Sequence, residues 1–424
     1  MDERNNSSFS AEEEQRMKNR AAARAKEKAE QEKIRELKKE KRNKKMSRLA
    51  TAGIIALIVV VCISLVFIAA RSLGNVTFTK IIDYVKDGFS NLEPGEGYPL
   101  EVGSGTVVDL TMIGQTPVVI KNDKISLLNR TAKEMSTFIH SYSKPMTHVN
   151  SGRMIVCDRV TGRYMITDRS EILHSEELQM ETYICTVAKN GSYAFSLKSE
   201  QASSTVSVYG SDFKKKFDFK CADEYVVGLS FSPNGKNIAL IGIGSKDACL
   251  YSKLYVITVD KNEIVNTVDF EGESIHSVFY SDNDTIIALS ENAYTVIGKN
   301  GEKDKVNFGY NTISRFISDE SGNFAIVLSK YGSIDSGTVA VLDSKGKEIF
   351  SAEIDSKIEC IDYDGETVCI SDGNNNVLTF NKKGKLIGKT KLDTATQDVT
   401  VSNNKCYALC FGSIVQLNVK TDLD

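Results

Sequence analysis

From Gly103 onward, short runs rich in Val, Ile, Tyr, Phe and Thr alternate with turn signals about every 8–12 residues, and helical periodicity is lost. The runs group into units of roughly 35–47 residues, each holding about four strand-length segments. One unit runs Tyr225-Val-Val-Gly-Leu-Ser-Phe-Ser, turns at Pro233-Asn234-Gly235, and continues as Asn237-Ile-Ala-Leu-Ile, Lys253-Leu-Tyr-Val-Ile-Thr-Val and Ile264-Val-Asn-Thr-Val-Asp-Phe. Similar units begin near Val107, Met146, Glu181, Ile275, Ile313, Ile358 and Asp398, giving eight. Such a unit can bury its two faces only against neighbouring copies, which predicts a β-propeller; a sandwich or barrel needs no regular period. The last unit supplies strands at Asp398–Ser402, Lys405–Phe411 and Ser413–Val419. Its fourth strand is expected from Tyr98–Val102, which closes the ring and covers exposed edges. The reading is an all-β ectodomain over residues 98–424, an eight-bladed propeller of four-stranded blades, with seven blades as the alternative.

Ahead of the repeats, Leu49 to Ala70 are 22 consecutive uncharged positions. At 1.5 Å per residue the run is about 33 Å long, enough to cross a bilayer's hydrocarbon core. Seven cations, Lys38, Lys39, Lys41, Arg42, Lys44, Lys45 and Arg48, precede it, whereas Arg71, Lys80 and Lys86 are spread out after it. That asymmetry retains the N-terminus inside and exports the repeats across the plasma membrane. The head is too long and the run too extended for a cleaved signal peptide, although Ala69-Ala70 is a weak cleavage option. Segment 1–48 carries a net charge of +6 and begins with a capping box at Ser10-Ala11-Glu12-Glu13, so a charged helix is expected against the inner leaflet. Segment 49–70 is the transmembrane helix. Segment 71–97 is a stem in which Phe78, Ile81, Ile82, Val85 and Phe89 recur at helical spacing.

Residues 49–424 carry a net charge of −9. The one basic cluster lies beside the membrane, which argues against nucleic-acid binding. Nine cysteines include Cys62 within the apolar run. Most of the others sit singly in apolar strand patterns, where buried thiols are ordinary. If Asp364-Gly365 forms a two-residue turn, Cys360 faces Cys369, and a disulfide or two packed thiols result.

The run Phe231-Ser-Pro-Asn-Gly-Lys-Asn-Ile-Ala239 resembles the strand–turn–strand signature of bacterial propellers of the TolB and lactonase type. The wider layout resembles a domain-of-unknown-function family of Gram-positive, mostly clostridial, single-pass membrane proteins with propeller-like ectodomains. Gly97-Tyr-Pro-Leu-Glu-Val102, Asn122-Asp-Lys-Ile-Ser-Leu-Leu128 and Asp158-Arg-Val-Thr-Gly-Arg-Tyr164 carry that resemblance. It implies topology and fold and brings no catalytic motif.

No Trp is present, which removes the quinoprotein, WD-repeat and sialidase types of propeller. His140, His148, His174 and His276 have no metal-ligand spacing, and no nucleophile elbow, P-loop or dinucleotide fingerprint occurs. The reading therefore assigns no catalytic residue, no metal and no cofactor. Turns between first and second strands are short throughout, at Asn190-Gly191, Asn234-Gly235, Ser321-Gly322, Asp364-Gly365 and Asn403-Asn404. Connections between second and third strands lengthen at Ser199–Ser204, Gly242–Ser252 and Ser329–Gly337. Those connections share one face, so Asp247, Tyr251, Tyr331 and Asp335 are the candidate partner-binding residues. The expected function is a membrane-anchored binding or scaffold module for envelope proteins or wall polymer. The alternative is a lactonase or glycan-lyase type of enzyme using channel carboxylates, with Ca²⁺ held by oxygen ligands.

Overall fold

The computed structural model describes residues 94–103, 107–150, 152–178, 180–332 and 336–419. Segments 1–48 and 49–70 and most of the stem lie outside the described residues. Among the described residues no helix is long and apolar enough to cross a membrane.

Thirty-two strands form eight antiparallel four-stranded sheets among the described residues, the blades of a β-propeller. The innermost strands are Val107–Ile113, Pro145–Asn150, Thr182–Val187, Tyr225–Phe231, Ile275–Tyr280, Thr312–Ser318, Ile358–Tyr363 and Thr396–Ser402. Each begins within two residues of the start that the repeat gives. Seven blades are simple meanders; the eighth takes its outer strand from Leu100–Glu101, with Leu100 opposite Ile414 and Glu101 opposite Ser413. The ring thus closes by joining the two ends of the repeat array.

Eight clusters of buried side chains fill the eight seams between adjacent blades. Second strands lie between two seams and are buried on both faces. In blade 4, Ile238 and Leu240 face blade 3 while Ala239 and Ile241 face blade 5, and all four are fully buried. This is why these strands read as continuous apolar runs, as buried parallel-sheet strands do, and why the outer strands alternate. In the absence of Trp, aromatic bulk comes from Tyr and Phe. Tyr164, Tyr193, Phe195 and Tyr209 pack across the seam of blades 2 and 3, with Tyr193 and Tyr209 stacked at 4.8 Å between ring centroids.

Seven of the eight innermost strands carry a β-bulge at the same register, just before Asp109, Ile184, Gly228, Ser277, Arg315, Cys360 and Asp398. Only blade 2 pairs without it. A bulge bends its strand and increases local twist.

Two expectations are corrected here. Cys360 lies opposite Ser371, and Asp362 rather than Cys360 lies opposite Cys369. The Asp364 carboxylate accepts the N–H groups of Glu366 and Thr367, at 3.0 and 2.8 Å. That cap spreads the turn over Asp364–Thr367 and moves the register by two residues, so both cysteines are free thiols. The stretch Gly242–Ser252 is no loop: second and third strands of blade 4 extend to Asn237–Lys246 and Cys249–Thr258, joined by Asp247-Ala248 at φ 52° and 63°.

Candidate functional site: the upper face and the central channel

The two ends of the propeller differ. At the lower end, where first and second strands join, the turns bear on one another around the ring. The Asn234 N–H donates to Asn283 of the next blade at 3.0 Å, and Asn403 bridges Asp364 and Gln115 at 3.2 and 3.1 Å. Gly235 has φ +68°, and a Cβ there would also crowd the Asn190 side chain of the preceding blade, which accounts for glycine at this turn. The chain also enters here: Gly97 N–H donates to the Thr131 carbonyl, and the Tyr98 hydroxyl reaches the Asn129 carbonyl.

The upper end is less constrained. Nine of the fifteen large apolar side chains exposed among the described residues lie there, against five on outer strands toward the lower end. Ile139, Tyr225, Leu250, Tyr310, Tyr331 and Phe411 are the most prominent. From the bulge register, Ile241 of blade 4 is level with Leu289 of blade 5. The blade 4 hairpin therefore rises four residues, about 13 Å, above its neighbour.

The candidate residues have separate fates on this face. Asp247 is exposed at the hairpin tip. Tyr251 does not decorate the surface: its hydroxyl donates to the nearly buried Glu224 at 3.0 Å, and its ring lies over Gly244, directly across the ladder. It braces the hairpin, and burial followed by the Glu224 bond raises its pKa. Tyr331 is exposed and packs on Tyr310, with centroids 5.5 Å apart, while its N–H donates to Asn311. Asp335 lies outside the described residues. Tyr251 and Tyr331 belong to blades 4 and 6. Sequence reasoning missed Tyr310, Tyr225 and Leu250; a large apolar residue within a turn is the signal that marks Tyr310, whereas Tyr225 and Leu250 stand at the starts of strands.

A second feature, on the axis, is a cavity of about 590 Å³ lined by innermost strands and first turns. Asp109, Asp319, Asp362, Asp364 and Asp398 face it, with Lys189 and His148. The side chains two residues past the bulge register tie blades together. His148, Ser230 and Asp362 accept the N–H groups of Val187, Tyr280 and Val401, the equivalent residues of the following blades, at 3.3, 3.0 and 2.7 Å. At the closing seam Asp398 accepts the Leu110 N–H at 3.4 Å, and at the seam of blades 1 and 2 Asp109 accepts the Thr147 hydroxyl at 2.7 Å. Burial, then the Asp109 charge, pushes Asp398 up to about 7. Burial likewise raises Asp362 and Asp319, and lowers His148 to about 4, consistent with its ring nitrogen accepting a bond. Asp109, Asp362, Asp364 and Asp398 each accept a bond from a neighbouring blade, whereas Asp319 caps its own turn through Ser321 and Asn323. Among the described residues, no three His, Cys, Asp or Glu side chains form a group able to hold a metal ion.

A model for a family of unknown function, DUF5711, matches residues 89–416. The chain belongs to that family. No curated protein is similar to it in sequence. Among solved structures it is similar to the computationally designed Ika8 protein, at TM-score 0.57 and 13% identity over 77% of this chain and 100% of that one. BamB from Moraxella catarrhalis is similar at TM-score 0.50 and 11% identity, over 76% of this chain and 99% of that one. Sqt1 of Chaetomium thermophilum, solved bound to the N-terminus of the ribosomal protein L10, is similar at TM-score 0.52 and 10% identity, over 76% and 100%. At these identities the likeness shows the propeller fold.

The described thiols of this family member differ in exposure. Cys157, Cys185, Cys221, Cys369, Cys406 and Cys410 are buried, Cys360 is half-buried, and Cys249 is exposed beside the hairpin tip. Burial pushes Cys157 and Cys221 up to about 12 and Cys185 and Cys369 well above the usual thiol range. In the native protein, maleimide is expected to modify Cys249 first, leaving the buried six unmodified until denaturant is added. Peptide mapping checks this; early labelling of Cys369 or Cys406 would mean that the seam of blades 7 and 8 is open.

Proposed function

We propose that the chain is a membrane-anchored, extracytoplasmic propeller that serves as a binding or scaffold module for cell-envelope proteins or wall polymer. The observation that carries this reading is the contrast between the two ends. The lower end is locked turn against turn and receives the chain from the stem. The upper end presents a projecting hairpin and a concentration of exposed Tyr, Phe and Leu. Aromatic side chains of this kind dominate protein recognition because they bury large area at small entropic cost. The uncharged run Leu49–Ala70 and its flanking cations support the anchored topology. The Sqt1 propeller, bound to the N-terminus of a ribosomal protein, supports a peptide-binding role for a propeller of this size. A substrate-cleaving role has weaker support, since Asp109, Asp362, Asp364 and Asp398 in the channel are occupied by bonds between blades.

The test is crosslinking on living cells with Leu250, Tyr310 and Tyr331 changed together to Ser. Loss of adducts seen with the unaltered chain is expected, at unchanged thermal stability. An unchanged set of adducts would remove the upper face as the binding surface.

A further inference from the structure

The seam between blades 7 and 8 gathers four of the eight cysteines among the described residues. Cys369, Cys406 and Cys410 are buried in it, and Cys360 packs against it. Second-strand side chains point alternately into the two seams that flank a blade. Val368 and Ile370 face blade 6, which turns Cys369 toward blade 8; Tyr407 and Leu409 face blade 1, which turns Cys406 back toward blade 7. The ladders then set their height. Cys369 lies across from Asp362, and Cys406 lies across from Val401. The Asp362 carboxylate accepts the Val401 N–H at 2.7 Å and the Thr400 hydroxyl at 2.8 Å, which holds these rungs level. The two thiols therefore lie against each other inside the seam, both fully buried.

The other two thiols of the seam are placed elsewhere. Cys410 stands four residues along the strand from Cys406, about 13 Å away. Cys360, on the first strand of blade 7, donates its S–H to the Gln397 carbonyl at 3.1 Å.

We infer that Cys369 and Cys406 are joined in the mature protein by a disulfide that ties blade 7 to blade 8, the free thiols being its reduced form. This rests on the extracytoplasmic placement proposed above, since disulfides form and persist in oxidising compartments. The step is thiol–disulfide exchange, with a small-molecule or protein disulfide as the oxidant. One cysteine thiolate attacks that disulfide and expels a thiolate. The other cysteine thiolate attacks the mixed disulfide, expels the second thiolate and forms the Cys369–Cys406 bond. The oxidant takes both electrons, and the two protons given up by the cysteines end on the two thiols released. Neither sulfur is exposed once the blades pack, so exchange precedes closure of the seam, and the packed seam then shields the bond from reductant. The tie acts where the ring is weakest. Blade 8 takes its outer strand from only two residues, Leu100–Glu101. A covalent link on its other side keeps blade 8 docked when that short strand opens.

The test takes the full chain from cells directly into denaturant containing maleimide, followed by peptide mapping. Peptides carrying Cys369 and Cys406 are expected to be linked to each other and to separate on reduction, with Cys157, Cys185, Cys221 and Cys410 alkylated. Recovery of Cys369 and Cys406 as alkylated thiols would overturn the inference. A second arm reduces the full chain in denaturant and returns it to detergent micelles with oxidised glutathione. A link formed there but not in cells would count against the extracytoplasmic placement, whereas a link formed in neither would overturn the pairing itself and leave that placement untouched. Amide exchange in Ser413–Asn418 is expected to be at least tenfold slower in the linked chain than in the reduced chain of the same sequence, with Ile238–Ile241 of blade 4 unchanged. Equal exchange in Ser413–Asn418 would overturn the link's role in holding blade 8.

Discussion

Gly322→Ala is expected to destabilise the propeller by about 3 kcal/mol or more, whereas Gly309→Ala should cost only about 1 kcal/mol. Both glycines have positive φ, +85° and +66°, so each substitution carries the strain of a left-handed backbone. They differ in surroundings. Nothing lies within 4 Å of a Cβ at Gly309, but a Cβ at Gly322 would sit 1.7 Å from the carbonyl oxygen of Ser281 in blade 5. Neither partner can yield easily. Asp319 holds the Gly322 turn by accepting the N–H groups of Ser321 and Asn323, both at 2.8 Å. Ser281 is held in turn by Thr285 and, through its hydroxyl, by the Ser344 carbonyl at 2.7 Å. The alanine must therefore push two locked turns apart at the seam of blades 5 and 6. Urea unfolding of both variants beside the parent checks this. Equal losses at the two positions would show that backbone strain alone matters and that the lower ring is not closely packed.

The fold was legible because each blade repeats a burial pattern, and burial patterns are written in residue type. Second strands such as Ile238–Ile241 face a core on both sides, and outer strands such as Lys215–Cys221 face water on one. Blade starts were therefore readable to within two residues, as was closure by Leu100–Glu101. Features set by one side chain's choice of partner were not readable. Asp364 caps its own turn, and that shifts Cys360 away from Cys369. Gly244 and Tyr251 look like loop residues until the ladder pairs them and the ring covers the glycine. The bulge register, which aims Asp109 and Asp398 into the channel, leaves no mark in composition, since the residue after the bulge is Asp, Ile, Gly, Ser, Arg or Cys. Loop length identified the face that carries the exposed aromatic side chains, but named Tyr251, which is half-buried and engaged with Glu224 and Gly244, and missed Tyr310, which is exposed.

Asp398→Asn is expected to stabilise the protein above pH 7 and to change little near pH 4. Asp398 titrates at about 7 in the folded chain, pushed up by burial and then by Asp109, against about 3.9 in an unfolded one. Between those values the folded state holds a proton that the unfolded state has released, so stability falls as pH rises from 4 to 7. Below that window both states are protonated and the carboxyl costs nothing; above it the full penalty of an ionised carboxylate beside Asp109 is present. Three pK units correspond to about 4 kcal/mol, and water in the open channel screens this to on the order of 2 kcal/mol. Asparagine removes the charge and keeps one oxygen, which can accept the Val399 N–H; it gives up the longer 3.4 Å bond that the second carboxylate oxygen accepts from the Leu110 N–H. Asp362, the other acid acting on Asp398, lies across the opposite seam and is already bonded to Thr400 and Val401. Unfolding free energies at intervals from pH 4 to 8.5 should fall for the parent and flatten for the variant, and Asp109→Asn should reproduce part of that flattening by removing the neighbouring charge. A variant curve parallel to the parent's across the range would mean that Asp398 is ionised throughout and that the closing seam carries no titrating group.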